Sequence, residues 1–190
     1  MSEQTTATQV NNETGFLNPM ELLRQLGLLA GVKVADLGCG TGYIVLPTAK
    51  MVGAQGRVYA VDIRRSMLQQ ITVKAQERGL FNIQPVWADL TIPGSTKIPD
   101  NSVDAAFLVN VLFQLPKREP AVLEAQRIVR PGGKVVVVDW NDKPVSFGPA
   151  DDQRVTEEQI QGMFGKDFAF EKPLAVGAYH FGFVFVKEGK

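Results

Sequence analysis

A doubly wound α/β fold with a parallel sheet is predicted by two features of this 190-residue sequence. From residue 32 to residue 140, short apolar runs that fit buried strands alternate with segments of helical spacing, and no internal repeat is visible. The first apolar run ends in three glycines at alternate positions, Gly38, Gly40 and Gly42, which is typical of a strand-to-helix turn that approaches a ligand. Alternation of this kind implies right-handed βαβ units, which make the strands parallel and place helices on both faces of the sheet.

Predicted elements cover most of the chain after a polar N-terminal segment. Residues 1–14 carry almost no apolar side chains, so we expect a disordered polar tail followed by a single domain at 15–190. Asn18, Pro19 and Glu21 are typical of a helix start, and this helix is expected to continue to Gly31. Further helices are predicted at 43–51, 66–78, 119–129 and 156–164, and strands at 32–37, 57–62, 83–87, 103–111, 134–140, 168–176 and 179–187.

The composition excludes several classes of protein. Lys and Arg together number 20, as do Asp and Glu, so the net charge is zero and bulk binding of nucleic acid is not expected. Cys39 is the only cysteine, which rules out an intrachain disulfide, and no Cys/His spacing predicts a metal site. No apolar run approaches the ~20 residues of a membrane span, and no signal sequence is visible. We therefore expect a cytoplasmic monomer or homodimer.

The glycine-rich stretch D-L-G-C-G-T-G at 36–42 differs from two common phosphate-binding patterns. A nicotinamide fingerprint would need glycine at Tyr43, and a P-loop would need lysine after Gly42. Instead, a carboxylate closes each of the first three strand regions: Asp36, Asp62 and Asp89. The carboxyl ends of parallel strands share one edge, so these acidic side chains should repel phosphate and favour a ligand rich in hydrogen-bond donors.

D-L-G-C-G-T-G resembles motif I of the class I S-adenosylmethionine (SAM) methyltransferases. Three further stretches, V-D-I-R-R-S-M-L, W-A-D and R-I-V-R-P-G-G-K, follow in order, and together they are similar to the subgroup of ubiquinone/menaquinone-biosynthesis methyltransferases. The resemblance covers residues 20–187. It implies a Rossmann-like, seven-stranded, mostly parallel sheet with helices on both faces and a C-terminal antiparallel hairpin. It also implies in-line methyl transfer from SAM to a small-molecule acceptor, with S-adenosylhomocysteine as product.

The resemblance also assigns cofactor-binding roles to particular residues. Asp62 is expected to bind the ribose hydroxyls, and Asp89 the adenine amine, with the Ala88 amide and the Ile63 side chain beside the ring. Gly38 and Asp36 are expected to hold the methionine amine within the bend formed by Gly38, Gly40 and Gly42. Asn110 is expected to face the methionyl part of the cofactor.

The acceptor side is less defined, and its catalytic residue is unknown. Related proteins often carry histidine after the fourth strand, whereas this sequence has Phe113 and Gln114. The only histidine, His180, and its neighbour Tyr179 are candidates for a base or a substrate contact, although a histidine in an aromatic strand is more often a packed residue. Trp140, Phe113, Phe147, Tyr179 and His180 are candidates for lining the acceptor cavity.

Two other functions stay open at this point. Modification of RNA or protein would need a charged strip, for which Arg64-Arg65 and Lys117-Arg118 are the candidates. A module that binds SAM without catalysis would explain the missing histidine.

Overall fold

The computed structural model describes residues 15–189, so the predicted tail at 1–14 lies outside the described residues. Seven strands form one sheet in the order β3-β2-β1-β4-β5-β7-β6, in which β1 to β5 are parallel and β7 is antiparallel to both β5 and β6. The strands are β1 Lys33–Leu37, β2 Arg57–Asp62, β3 Ile83–Trp87, β4 Val103–Val109, β5 Val129–Trp140, β6 Phe168–Pro173 and β7 His180–Lys187. This architecture confirms the predicted Rossmann-like fold with its C-terminal hairpin.

The helices are α1 Pro19–Leu26, α2 Val45–Val52, α3 Arg65–Glu77, α4 Glu119–Ile128 and α5 Glu157–Gly162. Helix α1 begins as predicted, because the Asn18 side chain accepts hydrogen bonds from the backbone N–H groups of Met20 and Glu21. It ends earlier than predicted, since Gly27 adopts the left-handed conformation that terminates helices. Helix α2 also starts two residues later than predicted, after the turn at 41–44.

Strand β5 differs most from the prediction. The helix-to-strand turn was expected at Pro131, Gly132 and Gly133, but β5 already begins at Val129. Its pairing with β4 shifts from Val103–Val129 to Ala105–Lys134, so residues 130–133 form a bulge within the strand rather than a loop before it. Pro131, Gly132 and Gly133 correctly indicated that regular strand structure is interrupted here. The pairing of Val129 and Lys134 with β4, before and after the interruption, could not be predicted from these local residues.

The strand ends that border the site are also shorter than predicted. Strand β4 stops at Val109 because Asn110 adopts a left-handed φ of 54°, which leaves the extended conformation. Strand β6 stops at Pro173, and Tyr179 precedes β7 instead of opening it. Both changes place polar or aromatic residues in the connections at the carboxyl edge of the parallel strands.

Two apolar layers cover the sheet, and alternation along each strand decides which residues meet which layer. One face packs on α1, α2 and α3 and includes Val34, Phe107 and Val136. The other packs on α4 and α5 and includes Ala35 and Val137. By the same alternation, Asp36 and Asp62 lie on the α1–α3 face of the sheet.

Candidate active site

Two of the three predicted carboxylates close neighbouring strands on one face of the sheet. Asp36 is paired with Ala60, so Asp62 lies two residues further along β2 on the same side. Asp89 follows β3, the next strand in the sheet. The structure therefore brings the three acidic residues to one edge, as the sequence predicted.

The glycine bend after β1 is held by backbone and packing contacts. The N–H groups of Gly38 and Cys39 both donate to the carbonyl of Val61, at 2.8 and 2.9 Å. Gly38 has a φ of 84°, and a Cβ there would lie 2.4 Å from Val111 Cγ2. A Cβ on Gly40 would meet nothing within 4 Å. Packing thus requires glycine at position 38, while Gly40 borders open space.

Asp62 is buried and fixes the bend through hydrogen bonds. Its Oδ2 accepts from the Gly40 N–H at 2.9 Å, and its Oδ1 accepts from the Arg64 N–H at 2.8 Å and from Arg64 Nε at 3.3 Å. An ionised carboxylate has about four lone-pair positions, so three bonds leave room for one more. Binding of both ribose hydroxyls by Asp62 remains a prediction, and it would compete with the exposed Arg64 side chain.

Asp36 is a buried carboxyl without a partner. Its side chain is 3% exposed and neither accepts a hydrogen bond nor forms an ion pair within residues 15–189. Burial, together with the charge of Asp62, raises the pKa of Asp36 to about 7. An unpaired buried acid is unfavourable, so this position is suited to a cationic or donor group from outside the chain.

Asn110 provides a second unpartnered acceptor on the next strand connection. Its backbone is fixed, because its N–H donates to the Val138 carbonyl at 2.8 Å and its carbonyl accepts from Gln114 Nε2 at 2.7 Å. Its side-chain Oδ1 is buried and receives no hydrogen bond in the described part of the chain. Strands β1 and β4 are neighbours, so Asp36 near the end of β1 and Asn110 just after β4 place two unsatisfied acceptors at one end of the site.

A cavity of about 440 Å³ lies at the other end of this edge. Its lining includes five of the predicted cofactor-binding residues: Gly38, Asp62, Ile63, Ala88 and Asp89. Its volume is within the range of small-molecule sites. Asp36, Gly40, Gly42 and Asn110 do not line it. The predicted adenosine-binding residues therefore share a cavity with Gly38, whereas Asp36 and Asn110, predicted to bind the methionine part, do not line it.

Within the cavity, Asp89 and Ile63 are held in place by their neighbours. Asp89 Oδ1 accepts from the Thr91 hydroxyl at 2.7 Å and from its N–H at 2.9 Å, and these bonds keep the pKa of Asp89 below its usual range. Trp87 Nε1 donates to the Ile63 carbonyl at 2.8 Å, while the Ile63 side chain stays exposed. One carboxylate oxygen and one apolar side chain are thus available to a flat, amine-bearing ring.

An aromatic cluster consisting of Phe16, Trp140, Phe147, Tyr179 and His180 lies on the same sheet face as Asp36. Phe147 is 5.3 Å from Phe16, 6.0 Å from Trp140 and 5.2 Å from Tyr179, measured between ring centroids. The rings of Trp140 and His180 are 4.5 Å apart and belong to residues paired across β5 and β7. The strand register shows that this pair is on the face of Asp36. Asp36 pairs with Phe107, and Val109, two residues further along β4, pairs with Val138. Trp140 is two residues beyond Val138, so its side chain is on the same face.

Backbone and side-chain hydrogen bonds join the segments of this cluster. Asn141 Nδ2 donates to the Ala178 carbonyl at 2.9 Å, and the Ala178 N–H donates to the Gly15 carbonyl at 2.9 Å. The Tyr43 hydroxyl donates to the Leu17 carbonyl at 2.8 Å. Phe16 was not predicted, since no motif surrounds it and its position depends on these distant contacts.

Phe113, a predicted lining residue, does not join the aromatic cluster. Its ring makes none of the aromatic contacts seen within residues 15–189, and its N–H donates to Asp139 Oδ2 at 3.4 Å. Asp139 is fully buried and also accepts from the N–H groups of Leu112 and Trp140. Burial raises the pKa of Asp139 to about 6, against the opposing effect of these backbone donors. Asp139 therefore ties the end of β5 to the connection after β4.

Arg154 performs a similar structural task for the segment after β5. Its guanidinium is almost completely buried and donates to the carbonyls of Asn141 and Lys143 at 2.9 Å each, and to that of Pro149 at 3.4 Å. These contacts enclose the segment that carries Phe147. Sequence reasoning missed Arg154, because the three carbonyls it binds carry no sequence signal.

Residues 35–137 match the family model described as "Methyltransferase domain". The chain belongs to this methyltransferase family. It is 31% identical over 150 residues to a demethylmenaquinone methyltransferase of Geobacillus sp., covering 78% of this chain and 62% of that protein. It is 33% identical over 121 residues to the ubiquinone/menaquinone biosynthesis C-methyltransferase UbiE of Hahella chejuensis, covering 63% and 47%. The chain thus spans less than two thirds of the length of these curated relatives.

Solved methyltransferase structures share the fold. The structure of a SAM dependent methyltransferase from Aquifex aeolicus superposes with a TM-score of 0.80 at 26% identity, covering 91% of each chain. A putative type 11 methyltransferase from Sulfolobus solfataricus superposes with a TM-score of 0.74 at 25% identity, covering 92% of this chain and 95% of the other. The resemblance to class I SAM methyltransferases is confirmed.

The basic pairs considered for a macromolecular substrate are largely engaged inside this methyltransferase domain. Arg64 binds Asp62, and the Arg65 guanidinium lies 4.2 Å from the Trp87 ring centroid. Arg118 donates to the carbonyls of Leu112 and Gln153, at 3.2 and 2.7 Å. The side chains of Arg64, Arg65 and Arg118 therefore make contacts within the domain.

Residues 15–189 contain neither a metal-binding cluster nor a membrane-spanning helix. No group of histidine, cysteine and acidic side chains there is arranged to hold a metal ion. No helix in that range combines the length and apolar character needed to cross a bilayer.

Proposed function

We propose that this chain catalyses SAM-dependent methyl transfer to a small, mostly apolar acceptor. The observation that carries the proposal is the unpartnered, buried Asp36 on β1 and the unpartnered Oδ1 of Asn110 after neighbouring β4, at the same edge as the cavity lined by Asp62 and Asp89. SAM bears an ammonium group that would supply the missing donor, and its sulfonium supplies an electrophilic methyl group. The family and the named relatives support the same activity.

The described residues divide the binding task between two ends of the site. Asp36 and Asn110 would hold the amino-acid end, where a charged acceptor gives the stronger hydrogen bonds. Asp62 and Asp89 would accept from the ribose and the adenine amine, and Ile63 would cover a face of the ring. Gly40, whose side is open, allows the cofactor to approach the backbone.

The aromatic cluster supports an acceptor with a large apolar surface. Phe16 and Phe147 are half-exposed, whereas Trp140 and His180 lie deeper on the same face as Asp36. Displacement at a methyl group mainly requires that the acceptor be positioned and water excluded, which apolar walls achieve. The relatives named for menaquinone and ubiquinone synthesis are consistent with such an acceptor.

Binding of S-adenosylhomocysteine, measured by isothermal titration calorimetry, tests the cofactor assignment. Asp89→Asn should weaken binding roughly tenfold, because the amide offers a poorer acceptor to the adenine amine. Asp152→Asn, at an exposed position away from the cavity, is the matched control and should bind as the unchanged protein does. Absence of binding by the unchanged protein would refute the proposal.

Turnover separates catalysis from cofactor binding alone. The protein would be incubated with SAM labelled in the methyl group and with small molecules extracted from cells. Transfer of label into an organic-soluble product is the expected result. Label found only in RNA or protein, or binding of S-adenosylhomocysteine without any transfer, would favour one of the alternative functions.

A further inference from the structure

His180 opens β7 and is buried without a hydrogen-bond partner. Its side chain is 7% exposed, and neither ring nitrogen is bonded to any group of residues 15–189. Buried polar atoms in folded proteins are nearly always paired, and leaving them unpaired costs stability. Such an exception needs a reason other than packing.

The surroundings of His180 explain why no internal group satisfies it. The nearest carboxylate in the pairing register, Asp139, lies opposite Phe181 and so points to the other sheet face. Its oxygens are already bonded to backbone N–H groups. On its own face, His180 meets the ring of Trp140. The imidazole is therefore neutral, because burial lowers the pKa of His180 to about 4.

His180 lies on the same face of the sheet as the unpartnered Asp36. Strands β4 and β5 separate β1 from β7, which at 4.7–4.9 Å per strand is about 14 Å across the sheet. The register also places His180 four residues beyond the point level with Asp36, so the two residues are roughly 20 Å apart. Phe16 and Phe147, 53% and 40% exposed, lie in connections outside the helices and strands. The Phe147 ring lies 6.0 Å from that of Trp140, so a partly exposed ring adjoins the Trp140–His180 pair.

We propose that His180 binds the methyl acceptor directly, through a hydroxyl or carbonyl oxygen on an otherwise apolar, uncharged molecule lying against Trp140 and Phe147. This inference rests on the proposed function. A neutral imidazole has one donor and one acceptor nitrogen, so it complements a hydroxyl or carbonyl group. The surrounding rings disfavour an anionic acceptor, since they would not solvate its charge. His180 is thus a specificity-determining residue, not a base.

Replacement of His180 by phenylalanine provides a test that needs no ligand. Phenylalanine keeps a ring against Trp140 and removes both unpaired nitrogens, so the melting temperature should rise by about 2–6 °C. A structural histidine with a hidden partner would behave in the opposite way, and a fall in melting temperature would overturn the proposal. His180→Gln, which keeps a donor and an acceptor, should give no such rise.

Binding of 1-naphthol, compared with 1-methylnaphthalene of the same shape, tests the polar contact. Titrations are made in the presence of S-adenosylhomocysteine. His180→Phe should weaken 1-naphthol binding roughly tenfold and leave 1-methylnaphthalene binding unchanged, while His180→Gln should retain most of the 1-naphthol affinity. Equal 1-naphthol affinities in all three proteins, or no binding to any, would refute the proposal.

The affinity for S-adenosylhomocysteine distinguishes this inference from the proposed function. It should be the same in the unchanged protein, His180→Phe and His180→Gln, because His180 lies away from the cofactor residues. A protein that binds S-adenosylhomocysteine but shows no effect of position 180 on 1-naphthol would retain the proposed function and lose the inference. A protein that fails to bind S-adenosylhomocysteine would lose the proposed function itself.

Discussion

The substitution Asp36→Asn should make the ligand-free protein more stable and the cofactor complex weaker. Asp36 is buried without a partner, and its pKa rises from 3.8 to about 7. At about 1.4 kcal/mol for each factor of ten in proton affinity, ionising this carboxyl in the folded state costs up to about 4 kcal/mol. Asparagine has nearly the same shape and carries no charge.

The stability gained by Asp36→Asn should depend on pH, because the pKa of Asp36 is higher in the folded than in the unfolded protein. Between pH 3.8 and about 7, folded Asp36 holds a proton that the unfolded chain has lost, so this residue makes stability fall as pH rises. The gain from Asp36→Asn should therefore be small at pH 4 and reach up to about 4 kcal/mol at pH 8. Urea unfolding at both pH values measures it, with Asp152→Asn as the control for a lost surface charge.

Cofactor binding should change in the opposite direction. An ionised Asp36 pairs with an ammonium group, so Asp36→Asn should weaken S-adenosylhomocysteine binding at pH 8 by about tenfold or more. In the unchanged protein, binding near pH 6 should release a proton from Asp36, which calorimetry in buffers of different ionisation enthalpy detects. The reasoning is refuted if Asp36→Asn unfolds more easily at pH 8, or if its stability gain is the same at both pH values.

Two further predictions concern the bend and the segment after β5. Gly38→Ala should lower the unfolding free energy by about 1–3 kcal/mol, because the new Cβ would lie 2.4 Å from Val111. Gly79 also has a positive φ but no neighbour within 4 Å, so Gly79→Ala should cost only about 1 kcal/mol. Urea denaturation of both variants makes the comparison. Arg154→Met should loosen the segment carrying Phe147 and so raise KM for the acceptor severalfold, while the affinity for S-adenosylhomocysteine stays unchanged. Steady-state kinetics measures the first quantity and calorimetry the second. An equal loss of both affinities would contradict this prediction.

The cofactor edge could be predicted from sequence because its residues follow strands directly. Asp36 and Asp62 end strands with clear apolar patterns, so their meeting at one edge follows from parallel pairing alone. Asn110 was placed for the same reason, although its left-handed backbone was not foreseen. Local patterns therefore determined most of this half of the site.

The acceptor side could be predicted only in part. Trp140 and His180 were recognised as candidates from their positions at strand ends, and the antiparallel register brings them together. Phe16 and Arg154 escaped notice, since their roles depend on carbonyl groups and loops far away in the chain. Phe113 stays a prediction for the acceptor cavity, and its backbone N–H donates to Asp139, a contact with distant β5 that the local sequence does not reveal.

The stretch that matches the family model and the residues of the aromatic cluster do not overlap. All nine predicted cofactor-binding residues lie within 35–137, whereas Phe16, Trp140, Phe147, Tyr179 and His180 all lie outside it. Substitutions in the flanking segments can therefore change the aromatic cluster without altering any of the predicted cofactor-binding residues. Exchange of residues 15–31 and 139–181 between two such proteins should transfer the choice of acceptor and leave the donor site intact.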